Sequence, residues 1–200
     1  MARFWPGPLT VVLPKREEVP DIVTAGLPTV AVRMPSHAMA LRFIELSGSP
    51  IAGPSANPFG YLSPTTAEHV REQLGDQVDL ILDGGPCRVG VESTIVDCTG
   101  SSPTILRLGG VAQAAIEAVV GAAVDLRTAG TTAAPGTLPG HYAPMARVVL
   151  VGRRDVGARA AGLLATGRRV GLLASAPAPA DLPVGLTVLD SPADVDDFAR

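Results

Sequence analysis

The chain has 200 residues, 46% of them hydrophobic and 18% charged, with a formal charge of −3. This suits a packed globular protein, excludes a disordered one, and argues against a broad nucleic-acid surface, which needs clustered positive charge. A small anion held by one or two arginines stays compatible with it, and because aromatics supply only 4% of residues the core must be built from Ala, Val, Leu and Ile.

From about residue 4 to 126, short apolar runs alternate with turn residues. LTVVL (9–13), TVAVRM (29–34), PIAG (50–53), DLILD (79–83), STIVD (93–97) and TILRL (104–108) read as strands, being rich in Val and Ile and bounded by Gly, Pro or Asp. Between them, apolar stripes predict helices over 37–47, 65–74 and 111–120, the second opening with Thr65 and Glu68 at capping-box spacing. The order of elements predicts an α/β fold (α+β in its mixed sheet) with flanking helices.

Residues 127–146 are small, polar and rich in Pro and Gly, a linker composition. The pattern then restarts: strands at 147–151, 168–174 and 186–190 surround a helix at 155–166, and another helix begins at 192. That is the opening of a Rossmann-like layer. The expected organisation is therefore a first domain over 1–126, a linker over 127–146 and a partial second domain over 147–200. A chain that enters and leaves in mid-pattern reads as an excerpt of something longer.

Cys87 and Cys98 have no CxxC or histidine spacing around them and read as small core residues of a reduced, cytosolic protein. His37, His69 and His141 are too scattered for a zinc site, and no metal site is expected. No apolar run approaches the ~18 residues of a membrane span. A cytoplasmic protein without a membrane partner is the expectation.

Chemistry concentrates in a few stretches. In GPSANPFGYLSPTT (53–66), Ser55 and Asn57 stand on a turn after a predicted strand, either aimed into a cleft or closing an Asx or Ser turn. DGGPCRVGVESTIVD (83–97) sets a glycine-rich loop before Glu92, Ser93 and Thr94; such a loop can surround an anion with backbone N–H groups, yet it lacks the GK[ST] ending of a P-loop. Arg33 and Arg107 are lone cations on apolar strands, costly unless paired by an anionic ligand or internally by Glu92 or Asp97. His141 and Tyr142 in the linker gain little unless they dock on something, a purine or the space between domains.

Six ordered segments, FWPGPLTVVLP, TVAVRMPSH, PSANPFGYLSPTTAEHV, GVESTIVD, ILRLGG and HYAP, together resemble the threonylcarbamoyl-AMP synthase family, the YrdC-like proteins, over about residues 4–146. HYAP followed by a Rossmann-like start is similar to the longer, two-domain form. The resemblance implies a YrdC-like twisted mixed sheet and a nucleotidyltransferase that makes L-threonylcarbamoyladenylate and pyrophosphate from L-threonine, bicarbonate and ATP. The product would serve N6-threonylcarbamoyladenosine formation at position 37 of tRNA, with a separate tRNA threonylcarbamoyl transferase as downstream partner. Carried over by position, Arg33, Ser55 and Ser93 would bind L-threonine, and Thr29, Asn57, Thr65, Arg107 and Tyr142 would bind ATP, with Mg²⁺ as helper. The resemblance assigns no general base.

Departures from the family pattern set a further expectation. The family's amino-terminal basic segment has no counterpart before Phe4, and the second domain stops early, so this chain alone is expected to be weakly active. The alternatives are a non-catalytic YrdC-like protein binding double-stranded RNA or tRNA, and a carbamoyl-transfer maturation enzyme with an embedded YrdC-like domain. Acidity counts against the first, the absence of zinc-finger cysteines against the second.

Overall fold

The computed structural model describes residues 1–127, 144–174 and 178–189. By contacts the chain divides into two compact units, Met1–Ala143 and Pro144–Arg200. No helix among the described residues is long and apolar enough to cross a membrane.

The first unit is built on a five-stranded mixed sheet, β1 (Leu9–Pro14), β2 (Thr29–Val32), β3 (Thr94–Asp97), β4 (Thr104–Arg107) and β5 (Asp125–Leu126), in the order β2-β1-β3-β4-β5. β1 pairs antiparallel with β2 and parallel with β3, so the centre of the sheet joins segments more than eighty residues apart. Residue alternation assigns the two faces. Leu9, Val11, Val96 and Ile105 point to one side and form the main cluster with Val111, Ile116 and Val124; Val12, Ile95 and Leu106 form a smaller cluster on the other. Ile105 is wholly buried.

Helices α1 (Asp21–Thr24), α2 (Ala38–Ser47), α3 (Ala67–Leu74) and α4 (Gln113–Val120) flank or follow the strands. α4 buries Ile116 in the main cluster and ends at Gly121, which adopts φ +79°, a left-handed conformation that costs glycine nothing. Glu117 on the last turn of α4 ties the chain beyond it: its carboxylate accepts from Val124 N at 3.1 Å and from Gln113 Nε2 at 3.0 Å. The Val124 N–H first, then the Gln113 amide, hold this carboxyl below the ordinary carboxylate range. A depressed folded-state pKa contributes stability at neutral pH that is lost as pH falls through the folded pKa. Glu117→Gln should therefore lower the denaturant midpoint at pH 7, and the gap to wild type should close in acid; a gap independent of pH would contradict this origin.

Four sequence expectations are corrected here. PIAG and DLILD are not strands: Ile51, Leu80 and Leu82 are exposed, and neither segment pairs with another described strand. An extended segment becomes a strand only when a neighbour takes its N–H and C=O groups. The cap of α3 is Thr66, one residue later than the capping box placed it; its hydroxyl accepts from His69 N at 3.2 Å, while Glu68 pairs with Arg71 at 3.1 Å. Cys87 and Cys98 are both exposed, the first on the glycine-rich loop and the second just past β3, so neither is a core residue.

The fourth correction lies in the second unit, where 147–151 forms no strand and Val148 and Leu150 are exposed. There α5 (Val156–Leu164) precedes β6 (Gly171–Leu173) and β7 (Thr187–Leu189), which pair in parallel, as a Rossmann-like start requires. The helix expected from residue 192 lies outside the described residues.

Candidate functional site

The loops that leave the sheet and the amino-terminal ends of α2 and α3 enclose a cleft of about 1070 Å³. Its walls come mainly from three stretches far apart in sequence, 33–38 after β2, 55–67 before α3, and the glycine-rich loop 81–93, joined by Gly7 and Pro8 before β1 and by Arg107 and Leu108 at the end of β4.

The glycine-rich loop is fastened on two sides. Cys87 N donates to Thr65 O at 2.8 Å, and the His37 ring lies 3.2 Å from Gly84 O. A Cβ on Gly84 would stand 2.5 Å from the His37 ring, so glycine is what admits the imidazole this close. His37 was passed over in sequence because it matched no metal pattern. Its place immediately before α2, in the short loop that leaves β2, is the available signal.

The floor is a polar network. Ser93 is buried, and its hydroxyl is 2.7 Å from Thr10 Oγ1. Arg107 reaches across from β4: its Nε and Nη2 donate to Ser93 O at 3.1 and 2.8 Å, and Nη2 also donates to Ser93 Oγ at 3.1 Å. The pairing of β3 with β4 shifts register between Ile95 and Val96, so that Arg107 stands opposite Ile95. Irregularities of this kind re-aim side chains at sheet ends. Glu92 completes the network, accepting from Ser63 Oγ at 2.5 Å and lying 3.6 Å from Arg107 Nη2. The internal pairing that the sequence left open for Arg107 is therefore real, and its partner is Glu92.

Arg33, Ser55, Thr65, Ser93 and Arg107 all line this one cleft. Arg33, exposed just beyond β2, makes no hydrogen bond or ion pair with another described residue, nor does Arg88 on the facing loop, a cleft residue that the sequence reading missed. Asp83 and Glu92 are the carboxylates in the lining, and both have donors: Asp83 Oδ1 accepts from Gly85 N at 2.9 Å. The cations left without a counter-charge are Arg33 and Arg88, so the cleft favours an anionic occupant.

Thr29 and Asn57 are not among the lining residues. Thr29 is half-buried at the start of β2, opposite Pro14. Asn57 shapes its own loop, donating from Nδ2 to Pro58 O at 2.9 Å and to Tyr61 O at 3.3 Å, while its Oδ1 is buried without a donor. Tyr142 lies outside the described residues.

Residues 1–109 match the Sua5/YciO/YrdC family model, described as telomere recombination, and residues 111–200 match the threonylcarbamoyl-AMP synthase C-terminal domain. The chain belongs to the threonylcarbamoyl-AMP synthase family. The threonylcarbamoyl-AMP synthase of Pyrococcus abyssi is 47% identical over 190 residues, covering 90% of this chain and 56% of the relative. That of Bacillus subtilis is 43% identical over 188 residues, covering 86% and 54%. The crystal structure of P. abyssi Sua5 complexed with L-threonine matches with a TM-score of 0.87 at 44% identity, covering 100% of this chain and 60% of that one. This member of the synthase family thus spans little more than half the length of the curated relatives it matches. The mixed α/β architecture expected from sequence is the one observed.

Proposed function

We propose that the protein is an L-threonylcarbamoyladenylate synthase, a nucleotidyltransferase that condenses L-threonine, bicarbonate and ATP and releases pyrophosphate. The observation that carries this reading is the convergence of unpaired Arg33 with Ser55, Ser93 and Arg107 in one cleft, in a chain that matches a threonine-bound relative over its full length. In this cleft the Arg33 guanidinium suits a carboxylate, which it can meet in a bidentate fork. Ser55 and Ser93 offer hydroxyls to the rest of the amino acid.

The nucleotide lies beside it, with Thr65 and Arg107 on its phosphate side. The family resemblance also assigns Thr29, Asn57 and Tyr142 to the nucleotide; Thr29 and Asn57 stand outside the lining of the cleft, and Tyr142 lies outside the described residues. Catalysis is positioning and charge stabilisation: the threonine carbamate oxygen is held in line with the α-phosphorus while the charge of the departing pyrophosphate is neutralised. Mg²⁺ enters with ATP as part of the substrate.

The product would pass in the cytoplasm to a separate transferase acting on tRNA position 37. The RNA-binding alternative is not favoured, since the relatives carry the synthase name and a net charge of −3 argues against a broad nucleic-acid surface.

The test is titration calorimetry with L-threonine and ATP beside an assay of threonine- and bicarbonate-dependent pyrophosphate release. Arg33→Ala should weaken L-threonine by about 10- to 100-fold, the cost of stripping a charged partner from a carboxylate. Unchanged threonine affinity would remove Arg33 from the site.

A further inference from the structure

Glu92 presents a puzzle in a cleft that favours anions, for it adds a negative charge to the lining. Its side chain is 31% exposed, that of Arg107 is 14% exposed, and the two meet at 3.6 Å. One carboxylate oxygen takes the Ser63 hydroxyl at 2.5 Å and the other faces the guanidinium. Its own backbone is fixed as well, since Gly110 N donates to Glu92 O at 2.8 Å.

Glu92 therefore sits where three parts of the wall meet. Ser63 belongs to the segment that carries Ser55 and Thr65. Ser93, the next residue along, takes three of the hydrogen bonds that Arg107 donates. The Glu92 carboxylate meets the third part, the Arg107 guanidinium at the end of β4. An apolar side chain here would leave Ser63 without its acceptor, and loss of the charge would remove the ion pair that braces the guanidinium beside its Ser93 contacts.

We propose that Glu92 is a positioning residue, a clamp that locks the Ser63 segment to the base of β3 and holds the Arg107 guanidinium at the angle a nucleotide phosphate needs. This deepens the synthase reading and rests on it for the identity of the ligand.

The test uses the full chain and the variants Glu92→Gln, Ser63→Ala and their double. Glu92→Gln keeps an acceptor for Ser63 and removes the charge, so ATP affinity should fall about tenfold, the scale of one lost charge-assisted contact. L-threonine affinity should stay within about twofold and the thermal midpoint within a few degrees, because the residue is partly exposed. Ser63→Ala should weaken ATP less, and the double variant should be less than additive, as a shared clamp requires.

A second readout needs no ligand: the Arg107 Nε–H resonance should exchange with solvent faster in Glu92→Gln than in wild type. Equal ATP affinity in Glu92→Gln, or equal loss of ATP, threonine and thermal midpoint, overturns the proposal. Wild-type chain that binds neither ligand sinks the synthase reading instead, and the Nε–H exchange then decides the clamp alone, unchanged exchange refuting it.

Discussion

Gly109→Ala should unfold the first unit at a temperature about 10 °C lower than wild type, a loss of roughly 3 kcal/mol or more. Gly109 follows β4 by two residues and lies flat against the chain entering β3. A Cβ there would meet the carbonyl oxygen of Glu92 and stand 2.6 Å from Ser93 C and 2.7 Å from Thr94 N. All three are backbone atoms, and they cannot swing aside as a side-chain tip would. The strand has to move, and with it go the Gly110 N–Glu92 O hydrogen bond at 2.8 Å and the Arg107 contacts to Ser93. Ligand affinity should fall together with stability.

Gly121→Ala provides the contrast. Gly121 has φ +79° but open space around its missing Cβ, so only the left-handed conformation is penalised, about 1–2 kcal/mol. Thermal and denaturant unfolding of the two variants should rank Gly109→Ala well below Gly121→Ala. Equal stabilities would mean that the close approach at Gly109 is absent.

Thr94→Val should cost about 2–4 kcal/mol although it changes neither volume nor branching. Thr94 is wholly buried, and its hydroxyl bridges both backbone groups of one residue, donating to Val111 O at 2.7 Å and accepting from Val111 N at 3.0 Å. Valine fills the same space and strands two buried polar groups. Those two bonds tie β3, at the base of the cleft, to the turn that leads into α4.

Thr94→Ser keeps the bridge and loses one methyl, so about 1 kcal/mol is expected. If the serine variant were as destabilised as the valine variant, packing rather than the bridge would be what Thr94 supplies. Chemical denaturation of the three proteins at one pH separates these outcomes.

Much of the sheet was legible in the sequence for a simple reason. β1, β3 and β4 carry consecutive Val, Ile and Leu, the unbroken apolar run of a strand buried on both faces, and they are central. α2 was placed to within a residue at its start and ended at Gly48, which takes φ +66°. PIAG and DLILD carry the same residue types and form no strand, because composition records an apolar segment but not whether a neighbour stands beside it. Cys87 and Cys98 failed in the same way: thiols are often buried, yet burial belongs to a position and not to a residue type.

The site divides along the same line. The short polar groups on turns, Ser55 and Thr65, and the guanidinium of Arg33 announce themselves in one dimension, because each breaks an apolar or glycine-rich run. The sequence by itself determined the residue types, the glycine-rich loop before Ser93, and the likeness to a family. Only the tertiary structure decided that Arg107 is held by Ser93 and Glu92, that Ser63 is bound to Glu92 from 29 residues away, and that Arg33 and Arg88 are left without counter-charge. Those facts depend on the register between β3 and β4 and on the loops meeting above it, and long-range pairing of that kind leaves no local mark in the chain.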